Sequence, residues 1–196
     1  VADVHGIDYM EVFKAANSQP YCHLHVPGTG VGGHCIPVYP QFLMQGPGPS
    51  ALSALGRQIN DSMPGYAVER LEKLVGGLQG KRVLILGLTF RPDVAVTPHT
   101  NSVDLLREFK ARGAVVRGHD ALLSEEGVRS LGFEPAPEPF EGFDIVVVHA
   151  YHRAYAKLEW GRIAPVLLDA RNALDRAAVE AQGVRYVGIG RPATPA

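Results

Sequence analysis

The sequence predicts an α/β fold: a Rossmann-like, doubly wound, mostly parallel sheet in the C-terminal part, preceded by a long helix and a helical/loop segment. Three observations carry this expectation. From Lys81 onward, short apolar runs alternate with a helical pattern, as in a βαβ unit. The apolar runs are near-continuous instead of alternating, which is the mark of strands buried on both faces. Upstream, Leu52, Leu55, Ile59, Met63, Ala67, Leu71, Leu74 and Leu78 recur at steps of three and four, the spacing of one long amphipathic helix.

Taken in chain order, residues 1–16 read as helix. Asp8 followed by Glu11 has capping-box spacing, so the helix restarts there and carries Val12, Phe13 and Ala16 on one face. A glycine-rich loop follows, and the first region closes near residue 46. The run Gly46-Pro47-Gly48-Pro49-Ser50 breaks the chain. Residues 47–79 then hold the long helix, with a kink expected at Pro64-Gly65. Such a stripe can pack against its own domain, but its length favours an interface. Residues 80–196 form the α/β domain. Its strands are expected at 82–86, 114–118, 144–148, 166–168 and 184–187, with a helix over 101–112 stopped by Gly113. The stretch Pro135-Ala136-Pro137-Glu138-Pro139 reads as an exposed loop.

The chemistry concentrates in Pro27-Gly28-Thr29-Gly30-Val31-Gly32-Gly33-His34-Cys35-Ile36-Pro37, where four glycines surround one cysteine. Glycine lets a backbone adopt angles closed to other residues and clears side chains from the main chain. A lone cysteine is ordinarily a small buried hydrophobe; the glycine cluster favours reading Cys35 as a nucleophile, with Gly30, Gly32 and Gly33 facing its substrate. The apolar strand ending in Gly87 invites a dinucleotide reading, but Leu88 to Arg91 are bulky where a pyrophosphate loop needs further glycines. Arg91 instead follows a strand end, where open α/β sheets place ligands, and Arg171 in Asp169-Ala170-Arg171-Asn172 follows another. Each arginine alone could be a solvated surface residue. Two of them at strand ends of one sheet suit a diphosphate, which a guanidinium grips with paired hydrogen bonds.

Composition narrows the alternatives. At 196 residues, with 46% hydrophobic and 20% charged residues, the chain is globular and can hold a substantial core. A net charge of -1 with no basic patch gives no reason to expect nucleic acid or an anionic membrane as partner. Two cysteines, Cys22 and Cys35, with no signal-like apolar stretch, point to a reducing cytoplasm. His23, His25 and His34 with those cysteines lack the paired spacing of a zinc site, so no metal is expected. His149 and His152, at the end of a strand, could line the ligand crevice, but solvent-facing histidines are the favoured reading.

The motifs resemble the nucleotide-sugar 6-dehydrogenases, the UDP-glucose/GDP-mannose dehydrogenase family. Besides the Gly-Gly-x-Cys loop, the resemblance runs through Gly6-Ile7-Asp8, Arg57-x-Ile59-Asn60-Asp61-x-Met63-Pro64, Leu86-Gly87-Leu88-Thr89-Phe90-Arg91-Pro92-Asp93 and Asp169-Ala170-Arg171-Asn172. The cysteine loop looks most like the branch acting on UDP-N-acetylhexosamines, the UDP-N-acetylmannosamine dehydrogenases among them. The resemblance implies that the chain is the C-terminal half of such an enzyme. Such enzymes oxidise the C6 alcohol of a nucleotide sugar to the uronic acid through a cysteine thiohemiacetal and thioester. It implies NAD as cofactor, bound by an N-terminal domain outside this chain, without which the chain is inactive. Phe90 and Arg91 match a Phe-Lys pair that contacts the nucleotide sugar, Arg171 matches an arginine near the substrate, and the long helix matches the homodimer contact. Departures favour a second reading, a non-catalytic nucleotide-sugar-binding and dimerisation module. Tyr39 stands where the family carries an aspartate, Tyr21 where it carries an arginine, and Ala95, Val96 and Pro98 replace an acidic pair and an arginine.

Overall fold

The computed structural model describes residues 1–46, 48 and 50–192. Pro47 and Pro49 of the expected break, and residues 193–196 at the end of the expected α/β domain, lie outside the described residues. The N-terminal part contains α1 (Ala2–His5), α2 (Tyr9–Ala16) and α3 (Cys35–Gln45), followed by the long helix α4 (Ala51–Val75). The rest alternates strand and helix: β1 (Arg82–Leu86), α5 (Ser102–Ala111), β2 (Val115–His119), α6 (Glu125–Ser130), β3 (Glu134–Pro135), β4 (Ile145–Val148), α7 (Trp160–Ile163), β5 (Val166–Asp169), α8 (Arg176–Glu180) and β6 (Arg185–Gly188).

The six strands form one all-parallel sheet in the order β3-β2-β1-β4-β5-β6. Strand order reverses between β1 and β4, so the crevice for ligands lies past the C-terminal ends of those two strands. Both faces of the sheet are covered. Val83, Ile85 and Val147 join one apolar cluster with Ala67, Leu71, Leu105 and Phe109, while Leu84, Leu86, Val146 and Val148 join a second with Tyr155, Trp160 and Tyr186. Alternate residues of each central strand thus enter opposite layers, which is why these strands read as unbroken apolar runs.

The helical stripe divides in two. Ala67, Val68 and Leu71 are fully buried in the domain core, whereas Leu52, Leu55 and Ile59 are exposed. The C-terminal half of α4 is therefore part of the α/β domain, packed beside α5. The helix runs as one element across Pro64 and Gly65, where the kink is expected. Its end is set by Gly76, whose left-handed backbone turns the chain so that the next N–H, that of Gly77, returns to the Glu72 carbonyl at 3.1 Å.

Two other expectations are corrected. Pro135 lies in β3, and Ala136 and Phe140 are buried, so the proline-rich stretch is partly sheet edge and core instead of an exposed loop. An edge strand tolerates proline because the missing N–H falls on the side that has no neighbour. At the N-terminus, Asp8 caps α2 through the Met10 N–H at 2.8 Å, but the reciprocal bond of a capping box, from the Asp8 N–H to Glu11, is not formed. Its other carboxylate oxygen pairs with Arg191 at 3.0 Å, and the Tyr9 N–H donates to the Gly190 carbonyl at 2.8 Å. The start of the chain is thereby docked on the segment after β6.

Candidate functional site

The cysteine loop lies across the C-terminal edge of the sheet and is fastened there from three sides. From β5, the Thr29 N–H donates to the Ala170 carbonyl at 3.1 Å and the Asn172 amide donates to the Pro27 carbonyl at 3.1 Å. From the same turn, Arg171 Nη1 donates to the Gly30 carbonyl at 2.8 Å, while its Nε reaches the His149 carbonyl at 3.3 Å and Nη2 the Phe90 carbonyl at 3.5 Å. One guanidinium thus holds the cysteine loop, the loop after β1 and the loop after β4 together. From α4, the Asn60 side chain accepts the Val31 N–H at 2.8 Å.

The glycines are packed against the protein itself. A Cβ at Gly32 would stand 2.3 Å from the His99 carbonyl oxygen, one at Gly30 2.9 Å from the Asn60 carbonyl oxygen, and one at Gly33 3.1 Å from the Phe90 ring. Gly30, Gly32 and Gly33 are buried. Close approach is what the glycines permit, and in this chain the approaching groups are Asn60, His99 and Phe90. Cys35 begins α3 and is exposed, and Arg91 is exposed past the end of β1. The structure therefore brings Gly30, Gly32, Gly33, Phe90 and Arg171 into direct contact, with Cys35 at the far end of the same loop and Arg91 next to Phe90.

Among the described residues no carboxylate pairs with the side chain of either Arg91 or Arg171. Burial pulls the Arg171 pKa down, yet a guanidinium stays charged at neutral pH. A half-buried cation without a counter-charge at a strand-end crevice is an arrangement that an anionic ligand can complete.

His149 and His152 are not solvent-facing. Both are fully buried, because the loops after β1 and β4 fold over the switch point. Burial, with the Arg171 charge nearby, keeps His149 neutral. His152 Nε2 donates to Asp120 at 3.0 Å and its Nδ1 accepts the Asp93 N–H at 2.8 Å. Asp120, at the end of β2, also takes the Leu88 N–H at 2.6 Å and the Thr89 N–H at 3.1 Å. Those are the backbone donors that would cradle a dinucleotide phosphate after β1. They are engaged by this internal carboxylate, so the residues present do not fit NAD at this position of the sheet. Nor does any group of three or more His, Cys, Asp or Glu among the described residues have the arrangement of a metal site.

The Asp120 carboxyl is held down at about 2: burial alone would raise it, and hydrogen bonds from His152, the Leu122 N–H and the Leu88 N–H outweigh burial. A carboxylate whose folded value lies below its ordinary one stabilises the fold above the ordinary value and loses that contribution as pH falls through the folded value. Denaturant unfolding should accordingly show about 2 kcal/mol lost between about pH 4 and pH 2 from this group. Asp120→Asn should flatten that part of the acid limb.

Sequence reasoning missed Asn60, His99, Asp93 and Asn172. Among the described residues the last three are the non-glycine ones with left-handed backbone, at φ 51°, 56° and 50°, and all three brace loops at this edge. All three carried a weak signal, since asparagine, aspartate and histidine adopt that conformation more readily than other non-glycine residues.

Comparison with known proteins identifies the family. Residues 1–59 match the family model for the central domain of the UDP-glucose/GDP-mannose dehydrogenase family, and residues 84–176 match that for the family's UDP binding domain. The chain is 29% identical to UDP-N-acetyl-D-mannosamine dehydrogenase of Methanocaldococcus jannaschii, over 97% of this chain and 45% of that protein. It is 32% identical to UDP-N-acetyl-D-glucosamine 6-dehydrogenase of Pseudomonas aeruginosa, over 87% of this chain and 44% of the relative. A solved UDP-glucose dehydrogenase from Pyrobaculum islandicum superposes with a TM-score of 0.80 at 27% identity, covering 96% of this chain and 45% of that structure. The chain spans a little under half the length of the relatives it matches.

Proposed function

The chain belongs to the UDP-glucose/GDP-mannose dehydrogenase family, and from that membership we propose that it supplies the cysteine nucleophile and the diphosphate grip for oxidation of a nucleotide sugar at C6. A UDP-sugar is the favoured substrate. The observation that carries this reading is the placement of Arg171, a half-buried cation with no carboxylate partner among the described residues, tied directly to the carbonyl of Gly30 in the cysteine loop. One residue thereby links the phosphate end of a ligand to the loop that presents the thiol.

In this reading Arg171 and Arg91 bind the diphosphate, and Phe90 packs beneath the loop and beside the ligand. Cys35 acts on the sugar once C6 is at the aldehyde level. Its sulfur forms a bond to C6, the carbonyl π pair moves to oxygen, and that oxygen takes the thiol proton, giving a thiohemiacetal. NAD is the hydride acceptor that the reading implies. The sheet offers it no phosphate cradle after β1, so the steps assigned here are those of the chain's own residues. A second copy is the partner proposed for the exposed half of α4, where Leu52, Leu55 and Ile59 leave an apolar stripe uncovered.

Tyr39 favours a second reading. It lies one turn after Cys35 on α3, is exposed, and offers a phenol, which holds its proton at neutral pH, in place of a carboxylate. A binding and dimerisation module without dehydrogenase activity accounts for it. Binding of the C6 aldehyde of a UDP-N-acetylhexosamine separates the two readings. As nucleophile, Cys35 should make the wild-type chain hold the aldehyde about tenfold or more tighter than the parent alcohol, and Cys35→Ser should erase the difference. Equal affinity for aldehyde and alcohol in the wild type would favour the module.

A further inference from the structure

The residue that fixes the cysteine loop on the α4 side lies in the helix expected to make the homodimer contact. Asn60 is four residues before Pro64, and proline has no N–H to offer the carbonyl one turn back. The Asn60 carbonyl is thus released from the helix ladder, and Gly30 packs against it so closely that a Cβ there would stand 2.9 Å from the oxygen. The Asn60 side chain then takes the neighbouring Val31 N–H at 2.8 Å, and its amide nitrogen returns toward the Val31 carbonyl at 3.5 Å. Gly30 adopts φ 97°, a conformation that turns its own carbonyl to Arg171 on the opposite side while its flank meets α4. The loop is therefore clamped between Arg171 and Asn60, with Cys35 four residues beyond Val31 at the start of α3.

We propose that Asn60 is a positioning residue for Cys35: its side-chain oxygen sets the Gly30-Val31 peptide, and through it the direction in which the loop enters α3 and presents the thiol. This rests on the reading of Cys35 as the reactive group. A glycine-rich segment has little stiffness of its own, so two side-chain tethers on adjacent residues decide where it sits.

The test uses the whole chain with Asn60→Leu and Asn60→Asp. Aspartate keeps an oxygen in reach of the Val31 N–H and leucine does not. Two quantities are read: hydrogen exchange of the loop amides against those of β1 and β4, and the iodoacetamide alkylation rate of Cys35 divided by that of Cys22. In Asn60→Leu the Val31 amide should exchange about fivefold faster or more, the scale of one lost neutral hydrogen bond, while the sheet amides keep their protection. The Cys35 to Cys22 rate ratio should change at least about threefold on the same scale, and Asn60→Asp should restore both. Gly30→Ala, which pushes the loop off the same carbonyl without altering α4, should reproduce the leucine result if Asn60→Leu fails to fold. Wild-type exchange and an unchanged ratio in Asn60→Leu or Gly30→Ala, or no rescue by aspartate, would overturn the proposal. Binding of UDP is measured in parallel: its absence in the wild type would count against the nucleotide-sugar reading and leave the loop result to stand or fall separately.

Discussion

Gly87→Ala should be the most damaging single-methyl change in the chain, lowering unfolding free energy by about 4 kcal/mol. Gly87 ends β1 at the switch point with φ 75°, and a Cβ there would stand 2.0 Å from the Ala150 carbonyl oxygen and 2.7 Å from its nitrogen and carbonyl carbon. Those atoms are backbone, so no rotamer change relieves the contact. The loops after β1 and β4 would have to separate, carrying Phe90 and His149 away from Arg171. Gly76→Ala is the matched control. It has nearly the same φ, 74°, with nothing within 4 Å of the added Cβ, so it should cost only the left-handed strain, about 1 kcal/mol. Denaturant unfolding of the two variants separates strain from collision, and equal losses would contradict the close approach at the switch point.

Arg171→Ala carries the largest expected effect on binding. The guanidinium makes three hydrogen bonds to carbonyls of three different loops, so its removal leaves the carbonyls of Gly30, His149 and Phe90 without that donor and loosens the cysteine loop. It also removes the half-buried charge assigned to the diphosphate. Charge-assisted hydrogen bonds contribute about 1.5–3 kcal/mol each, so UDP-sugar affinity should fall about 100-fold. Arg171→Lys should not recover it, because an ammonium cannot span three carbonyls and grip a phosphate at once. Arg91→Ala, at an exposed position, should weaken binding less, with the stability of the fold unchanged.

The sheet was legible where the chain signalled it strongly. The apolar run before Gly87, the helical period ended by Gly113 and the four-residue run before His149 each carry a length and a stop that only one element satisfies. β3 was not legible, since two residues that include a proline carry no period. The short helices α6, α7 and α8 hold too few turns to display one. In the site, Cys35 and the strand-end arginines followed from composition and position. The partners of the glycines did not, because a glycine records that something must come close without recording what. Asn60 left a trace in its spacing to Pro64, but that trace becomes a loop anchor only when Gly30 is seen against the freed carbonyl. His149 and His152 were misplaced for a related reason: burial at a strand end depends on how distant loops fold over it, and adjacent residues do not encode that.

The cysteine loop and the arginines after β1 and β5 are proposed to form one site for a nucleotide sugar. Calorimetric titration of the chain with UDP-N-acetylglucosamine and, separately, with NAD decides whether they do. The UDP-sugar should bind saturably, with binding lost in Arg171→Ala, and NAD should not bind. Binding of NAD with comparable affinity, or UDP-sugar binding that survives Arg171→Ala unchanged, would rule the site out.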